Sequence, residues 1–297
     1  MCLLTIAAYA GSLHGWFVYE DAMVREPSLR KLAEWSWRMT ERVSDTPFAH
    51  RVVSLAWHTV NGVLVWLLAR RVLGIVGALM AAGLFLLHPM QTETVAYLGS
   101  RPELALVTCV LLACLASSAG QVWMAGVFAC LALVSKEMGV MAFALVPLWA
   151  WLTRHTWTPG MPEAWLTVSA VVGAVFLSEA DRFLVLMPWA YYGSQVAELG
   201  RLLWLVPESL WNPTVLTIDH DWRWVTRPIA FAALVAAPCL LEIGWKYSRM
   251  ALFALAWTLV ALLPRLVLTL PDGIHERHLY LPMVGLSLAL GSLWDSQ

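Results

Sequence analysis

Runs of mainly apolar residues, each about as long as a bilayer is thick, recur along this chain. They constrain its fold more than any other feature. A spanning helix needs roughly 20 such residues. The sequence offers runs near 3–19, 52–69, 72–88, 104–119, 121–135, 138–153, 165–178, 229–245, 250–268 and 279–294. Hydrocarbon supplies no partner for a backbone N–H or C=O, so such runs are satisfied as helices. The expectation is an all-α, polytopic membrane helix bundle of about ten spans. The shorter runs must stand upright or thin the bilayer locally. Composition agrees: 60% of the 297 residues are hydrophobic and 13% charged, against about 45–50% and 25% in soluble domains. A net charge of -1 leaves no basic face for nucleic acid.

Residues 1–297 read as a single transmembrane domain. There is no period of about 34 residues, and so no expectation of a TPR domain. The first run has no basic leader and no clear cleavage site, and reads as a retained helix. The five cysteines, Cys2, Cys109, Cys114, Cys130 and Cys239, sit in apolar runs without metal spacing and read as small packing residues. His50, His58 and His88 likewise lack a metal-ligand spacing, and each reads as a packing or polar-network histidine. The eighteen tryptophans suit an interfacial belt.

The links between runs differ by side. With a cytoplasmic N-terminus, the cytoplasmic links are Arg70-Arg71, Gly120, 154–163 and 242–249, which are short and net basic, as the positive-inside rule expects. The other side receives the long, mixed links: a first outer loop over 20–50, the stretch from His88 to Leu104, "SKE" at 135–137, an outer segment over 179–228, and "PDGIHERH" at 271–278. Within the first, Ser28–Val43 has Leu29, Leu32, Trp35, Met39 and Val43 at helical spacing opposite a charged face. It reads as an interfacial amphipathic helix with that apolar stripe toward the membrane.

Candidate chemistry gathers on the same side. Glu20-Asp21 stands where the first helix leaves the membrane. Partial burial of one carboxylate beside another favours a general base, although acids at helix ends are also ordinary. Pro89 breaks the helix at His88 and presents Gln91, Glu93 and Tyr97 before Arg101-Pro102 closes the link; a capped turn with a surface ion pair fits as well. Lys136-Glu137 and Glu276-Arg277-His278 interrupt apolar sequence, and ionisable groups so placed line a cavity or pair with each other.

In order along the chain, these stretches resemble the membrane part of the GT-C glycosyltransferases, specifically the transmembrane-and-TPR O-mannosyltransferases and their bacterial relatives. "YED" at 19–21 stands for the family's aromatic-Asp-Asp, with Glu20 for the first Asp. Arg30-Lys31-Leu32 and Ser36 resemble its Arg-Pro-Leu and following serine, with Lys31 in place of Pro. His50 and His58 keep its paired histidines. His88-Pro89, Glu93-Thr94-Val95 and Gly99-Ser100-Arg101 match its His-Pro, Glu-x-Val and Gly-Arg elements, with Ser100 inserted. Lys136-Glu137 matches its Lys-Glu, and Glu276, Arg277, Tyr280 and Pro282 match its Glu-Arg-x-x-Tyr-x-Pro.

The resemblance implies a sugar donor carried on a polyprenyl phosphate, attacked with inversion by an acceptor hydroxyl. Asp21 or Glu20 would take the proton. Glu93, Arg101, Lys136, Glu137, Arg277 and His88 would contact substrate, the cations meeting the lipid phosphate. A divalent metal is a candidate cofactor, without an identifiable ligand set. Implied partners are membrane lipids, the lipid-linked sugar and further chains of a membrane complex. The implied location is a bacterial inner membrane, or the ER membrane in a eukaryote. The competing expectation is a non-catalytic scaffold of the same fold, which would bury these charges in ion pairs instead of arranging them around a lipid-sized opening.

Overall fold

In the computed structural model, the structure describes residues 1–14, 16, 30–154, 161–178, 189–212, 215–216, 249–267 and 275–295. Among these residues the regular elements are all helices. In order they are α1 (Cys2–Tyr9), α2 (Lys31–Val43), α3 (Pro47–Ala69), α4 (Ile75–Leu87), α5 (Thr92–Ala96), α6 (Arg101–Ser118), α7 (Val122–Ser135), α8 (Ala142–Thr153), α9 (Met161–Ser178), α10 (Trp189–Glu208), α11 (Arg249–Val267) and α12 (Pro282–Ser292), with short 3₁₀ turns between several of them. The apolar run at 229–245 lies outside the described residues. Among the described residues, two helical stretches suffice by length and hydropathy to cross a membrane, Pro47–Ala69 and Leu98–Ser118. A third candidate is the pair Ile75–Leu87 and Pro89–Ala96, bent by 52°. The second member of that pair carries Gln91 and Glu93, and we read it as a hook at the end of the bundle.

Local sequence sets the helix ends. Thr46 caps α3, its hydroxyl accepting from the Ala49 N–H at 3.3 Å, and Pro47 follows where no backbone donor is needed. The N-terminus of α4 is capped from far away: the Asp295 carboxylate accepts from the Gly74 N–H at 2.7 and 2.8 Å. His88-Pro89 ends α4, because proline disfavours helical geometry in the residue before it. Gly120, at φ 73°, turns the chain between α6 and α7 in the left-handed region that glycine adopts without strain.

The central helix is α6, whose spanning window is 78% buried against 44% for α3. Close packing rests on small side chains. The face that α7 buries is Val122, Ala125, Ala129, Ala132 and Ser135, spaced at three and four residues. In a bilayer helices gain little by leaving lipid, so van der Waals contact between closely approaching backbones holds them together. Among the described glycines the tightest approach is at Gly139, where the turn folds back on the end of α7 and an added Cβ would sit 2.1 Å from the Ala132 carbonyl oxygen. That neighbour is backbone and cannot swing aside. Gly139→Ala is therefore expected to lower the thermal midpoint in detergent sharply, by more than Gly126→Ala, where an added Cβ meets nothing within 4 Å. Equal midpoints would contradict this packing.

Contacts between distant segments order the two ends. Residues of α3 and α6 pair in parallel: Arg101 bonds to His50, Trp57 to Thr108, and Asn61 to Thr108 and Leu104. The Trp149 indole donates to Ser118 at 2.7 Å, Arg249 bonds to the Trp151 carbonyl, and Asp295 meets Gly74. Arg70-Arg71, Gly120, Arg154 and Asp295 thus share one end. At the opposite, polar end lie His50, the hook from His88 to Ser100, Lys136 and residues 275–280. This is the segregation that the links suggested. Asp272 lies outside the described residues.

The helix Lys31–Val43 forms and buries Ala33, Glu34, Ser36, Trp37 and Thr40 against the bundle, which leaves the apolar stripe outward. Small and hydroxyl side chains let it approach the bundle and reach a buried guanidinium, while Trp35 and Val43 remain exposed. The tryptophans are not only a surface belt: Trp149 and Trp257 are wholly buried. Each has an acceptor for its indole N–H, Ser118 Oγ and the Leu281 carbonyl, as a buried indole requires. Of the cysteines, Cys109 and Cys114 are buried packing residues, whereas Cys2 and Cys130 are exposed; Cys239 lies outside the described residues.

Candidate functional site

Three polar assemblies occupy the polar end. The first centres on Glu93, carried by the short α5 that follows the break at Pro89. Its Oε2 accepts from the Arg277 backbone N–H at 2.9 Å and its Oε1 from the Arg277 Nη1 at 3.0 Å. The guanidinium also lies over the Tyr97 ring, 5.3 Å from its centre. Two segments 184 residues apart are thereby joined through one carboxylate. Burial pushes the Glu93 carboxyl up to about 7; the charge and backbone N–H of Arg277 oppose the rise, and Glu276 and Glu103 add to it.

That shift predicts a pH dependence. Between about pH 4.5 and about pH 7 the folded chain keeps a proton on Glu93 that the unfolded chain has released. The contribution is full below the unfolded value and is lost as pH rises through the folded one. Thermal unfolding of the parent and of Glu93→Gln, measured from pH 4.5 to 8 in one detergent, should show the parent losing stability relative to the variant across that window. A difference independent of pH would contradict the shift.

His88 adjoins this assembly at the break. Its Nδ1 accepts from the Met90 N–H at 3.3 Å. Burial pushes its imidazole down to about 4, offset in part by a hydrogen bond with the Val206 backbone. It is a neutral network histidine at physiological pH. His58, within α3, is also a network histidine: Nε2 donates to the Leu86 carbonyl at 3.1 Å, which leaves Nδ1 to accept from the Tyr280 hydroxyl at 2.8 Å. Asn61 donates to that same hydroxyl at 3.1 Å.

The second assembly is a chain of ions. Lys136, between α7 and the turn Glu137–Met141, pairs with Glu103 in the first turn of α6. Next to it Glu137 pairs with Arg30 at 3.1 Å. Burial pushes the Lys136 ammonium down while Glu103 and Glu137 resist. Burial alone would raise the Glu137 carboxyl, but Lys136 and Arg30 hold it below the usual range. Ionisable groups that cannot reach water pair with each other.

The third assembly encloses Arg101, which is 0% exposed. Its Nη1 donates to Ser36 Oγ at 3.0 Å and to Thr40 Oγ1 at 3.4 Å; its Nη2 donates to the His50 carbonyl at 2.9 Å and lies 3.3 Å from His50 Nδ1. One guanidinium so ties α6 to both α2 and α3. The sequence did not single out Thr40 or the acceptor role of Ser36. The available signal was their i, i+4 spacing beside Ala33 and Trp37, a second helical face narrower and more polar than the apolar stripe.

Glu41, Asp45 and His50 each bring a ligating atom within 4.8 Å of the others, the one such group among the described residues. The set does not fit a metal well. A guanidinium can only donate, so the contact from Arg101 makes His50 Nδ1 an acceptor. The neutral ring then carries its proton on Nε2, which faces Asp45 at 3.8 Å. A metal on Nε2 would require a proton on Nδ1, opposed to the Arg101 donor.

Of the residues singled out in sequence, Glu93 and Arg277 contact each other, and Lys136 and Glu137 are neighbours paired to Glu103 and Arg30. His88 borders the hook, and Arg101 is held apart by Ser36, Thr40 and His50. Glu20 and Asp21 lie outside the described residues. The described residues that flank them are both tied to the polar end: the Trp16 carbonyl accepts from Arg51 at 2.5 Å, and Arg30 meets Glu137.

Protein O-mannosyl-transferase Tmtc1 of Drosophila melanogaster is 35% identical over 130 residues, covering 41% of this chain. The matched stretch spans only 15% of that relative's length. No family model matches the chain, and neither does any solved structure. The apolar helices and this partial likeness to a membrane enzyme mark the chain as a membrane protein.

Proposed function

We propose that this chain is the membrane part of a glycosyltransferase of the GT-C type, with about ten spans and the polar end outside the cytoplasm. It moves a sugar from a polyprenyl phosphate to an acceptor hydroxyl with inversion at the anomeric carbon. The observation that carries the reading is the joining of Glu93 to Arg277 at the end where both flanks of Glu20-Asp21 are anchored. The partial likeness to an O-mannosyltransferase supports the same reaction class.

Asp21 takes the proton of the attacking hydroxyl, and Glu20 orients the acceptor. The Glu93–Arg277 pair lines the site, where the guanidinium offsets charge developing on the departing phosphate. Arg101 and Lys136, enclosed by protein partners, act on that phosphate through their field. His88 and Glu137 hold the hook and the ion chain in position.

A second reading, a scaffold that has lost the chemistry, is favoured by the closed Lys136–Glu103 pair and the enclosed Arg101. The deciding experiment is transfer from a radiolabelled polyprenyl-phosphate mannose in vesicles to a serine- and threonine-rich peptide, for the parent and Glu93→Gln. Transfer by the parent, reduced in the variant, supports the enzyme. Equal background from both, together with no retention of the labelled donor by the parent, supports the scaffold.

A further inference from the structure

An open groove of ≈ 720 Å³ runs between α2 and the first turns of α3. Its walls are Trp35, Met39 and Val43 on α2 and Phe48, Val52 and Trp57 on α3. The α2 side chains among them are those that α2 turns away from the bundle. The groove does not end in solvent-type surface. On α3 the outward residues Phe48, Val52, Ala56, Val60, Val63 and Leu67 follow one another at spacings of three and four, which places them on one helix face. That face is the exposed flank of a helix long and apolar enough to span, the side that a surrounding bilayer would cover. The groove is the upper end of this flank, roofed by α2.

Its floor is polar at one point. Ser36 and Thr40 line it, and both hydroxyls accept from the buried Arg101. Thr40 spends its own proton on the Ser36 carbonyl at 2.9 Å. The rim carries Arg42, which leans on Met39 at 3.9 Å. A chain of methylenes suits the walls, and an ester or phosphate oxygen suits Arg42 at the rim.

We infer that the groove seats one acyl chain of a bilayer phospholipid, which fills the space under α2 and fastens it to α3. A lipid chain in the bilayer is already out of water, so the seat acts through packing and through the oxygen contacts at its mouth. The inference is independent of the glycosyltransferase reading, since it concerns a lipid that is not consumed.

The test uses the whole chain in vesicles of phosphatidylcholine and phosphatidylglycerol containing a phosphatidylcholine with a photoactivatable acyl chain. The protein is extracted, washed in detergent to remove loosely held lipid, and illuminated. Label is expected on the peptide containing residues 35–57, at several-fold the level on the peptide containing Val60–Leu67. Ala49→Trp, which fills the groove, should remove that label, whereas Val63→Trp on the same flank should not. Label spread evenly along α3 overturns the proposal, as does no retained phospholipid or retention of an isoprenoid lipid in its place. If Ala49→Trp fails to fold, the distribution of label on the parent alone decides.

Discussion

Asp21→Asn is expected to lower sugar transfer by about 10²–10⁴-fold, the usual worth of a positioned general base, with no loss of folded protein. The substitution keeps the shape of the side chain and removes only its capacity to accept a proton, so a fall in rate without a fall in thermal midpoint isolates chemistry from packing. Glu20→Gln should cost less, because the proposed task of Glu20 is orientation of the acceptor. The comparison needs initial rates at saturating donor for parent and both variants, with thermal unfolding measured on the same preparations. A fall confined to Glu20→Gln would exchange the two roles. Unchanged transfer by Asp21→Asn would remove Asp21 from the mechanism.

Arg101→Leu is expected to be the most damaging of the charge-removing substitutions to stability, by about 3 kcal/mol or more. The guanidinium is wholly buried and holds the Ser36 hydroxyl, the Thr40 hydroxyl and the His50 carbonyl. Its loss takes a donor from each of them at once. Arg101→Lys should recover part of the stability but not all, because a single ammonium cannot span acceptors on both α2 and α3 as the planar fork does. Denaturant or thermal unfolding of the three proteins in one detergent would show the order parent, Lys, Leu. If Arg101→Leu unfolds like the parent, the clamp is not what joins these helices. If Arg101→Lys folds fully yet transfers slowly, the field of the guanidinium on the lipid phosphate is the larger part of its role.

Much of this architecture was legible along the chain. The runs of apolar residues mark the helices, because hydrocarbon allows the backbone little else; Thr46-Pro47, His88-Pro89 and Gly120 mark where they start, break and turn. The assembly of His88, Glu93, Lys136 and Arg277 at one end also followed from sequence, since alternating antiparallel runs send every second link to the same side. The sequence was silent on pairing. Lys136 has Glu137 beside it, yet its ion partner is Glu103, 33 residues away, and Glu137 turns to Arg30. Partner choice depends on which helices touch, and that is decided by the small-residue stripe of α7 against α6.

The amphipathic helix shows the division most clearly. Its apolar stripe was visible, but hydrophobicity identifies a buried face only when water is the alternative. Beside a membrane, Trp35, Met39 and Val43 can face lipid at little cost. A buried guanidinium has no such freedom, because without acceptors it pays the full desolvation penalty. Arg101 therefore decided which face of α2 turns inward, and the sequence by itself determined only that the helix would form.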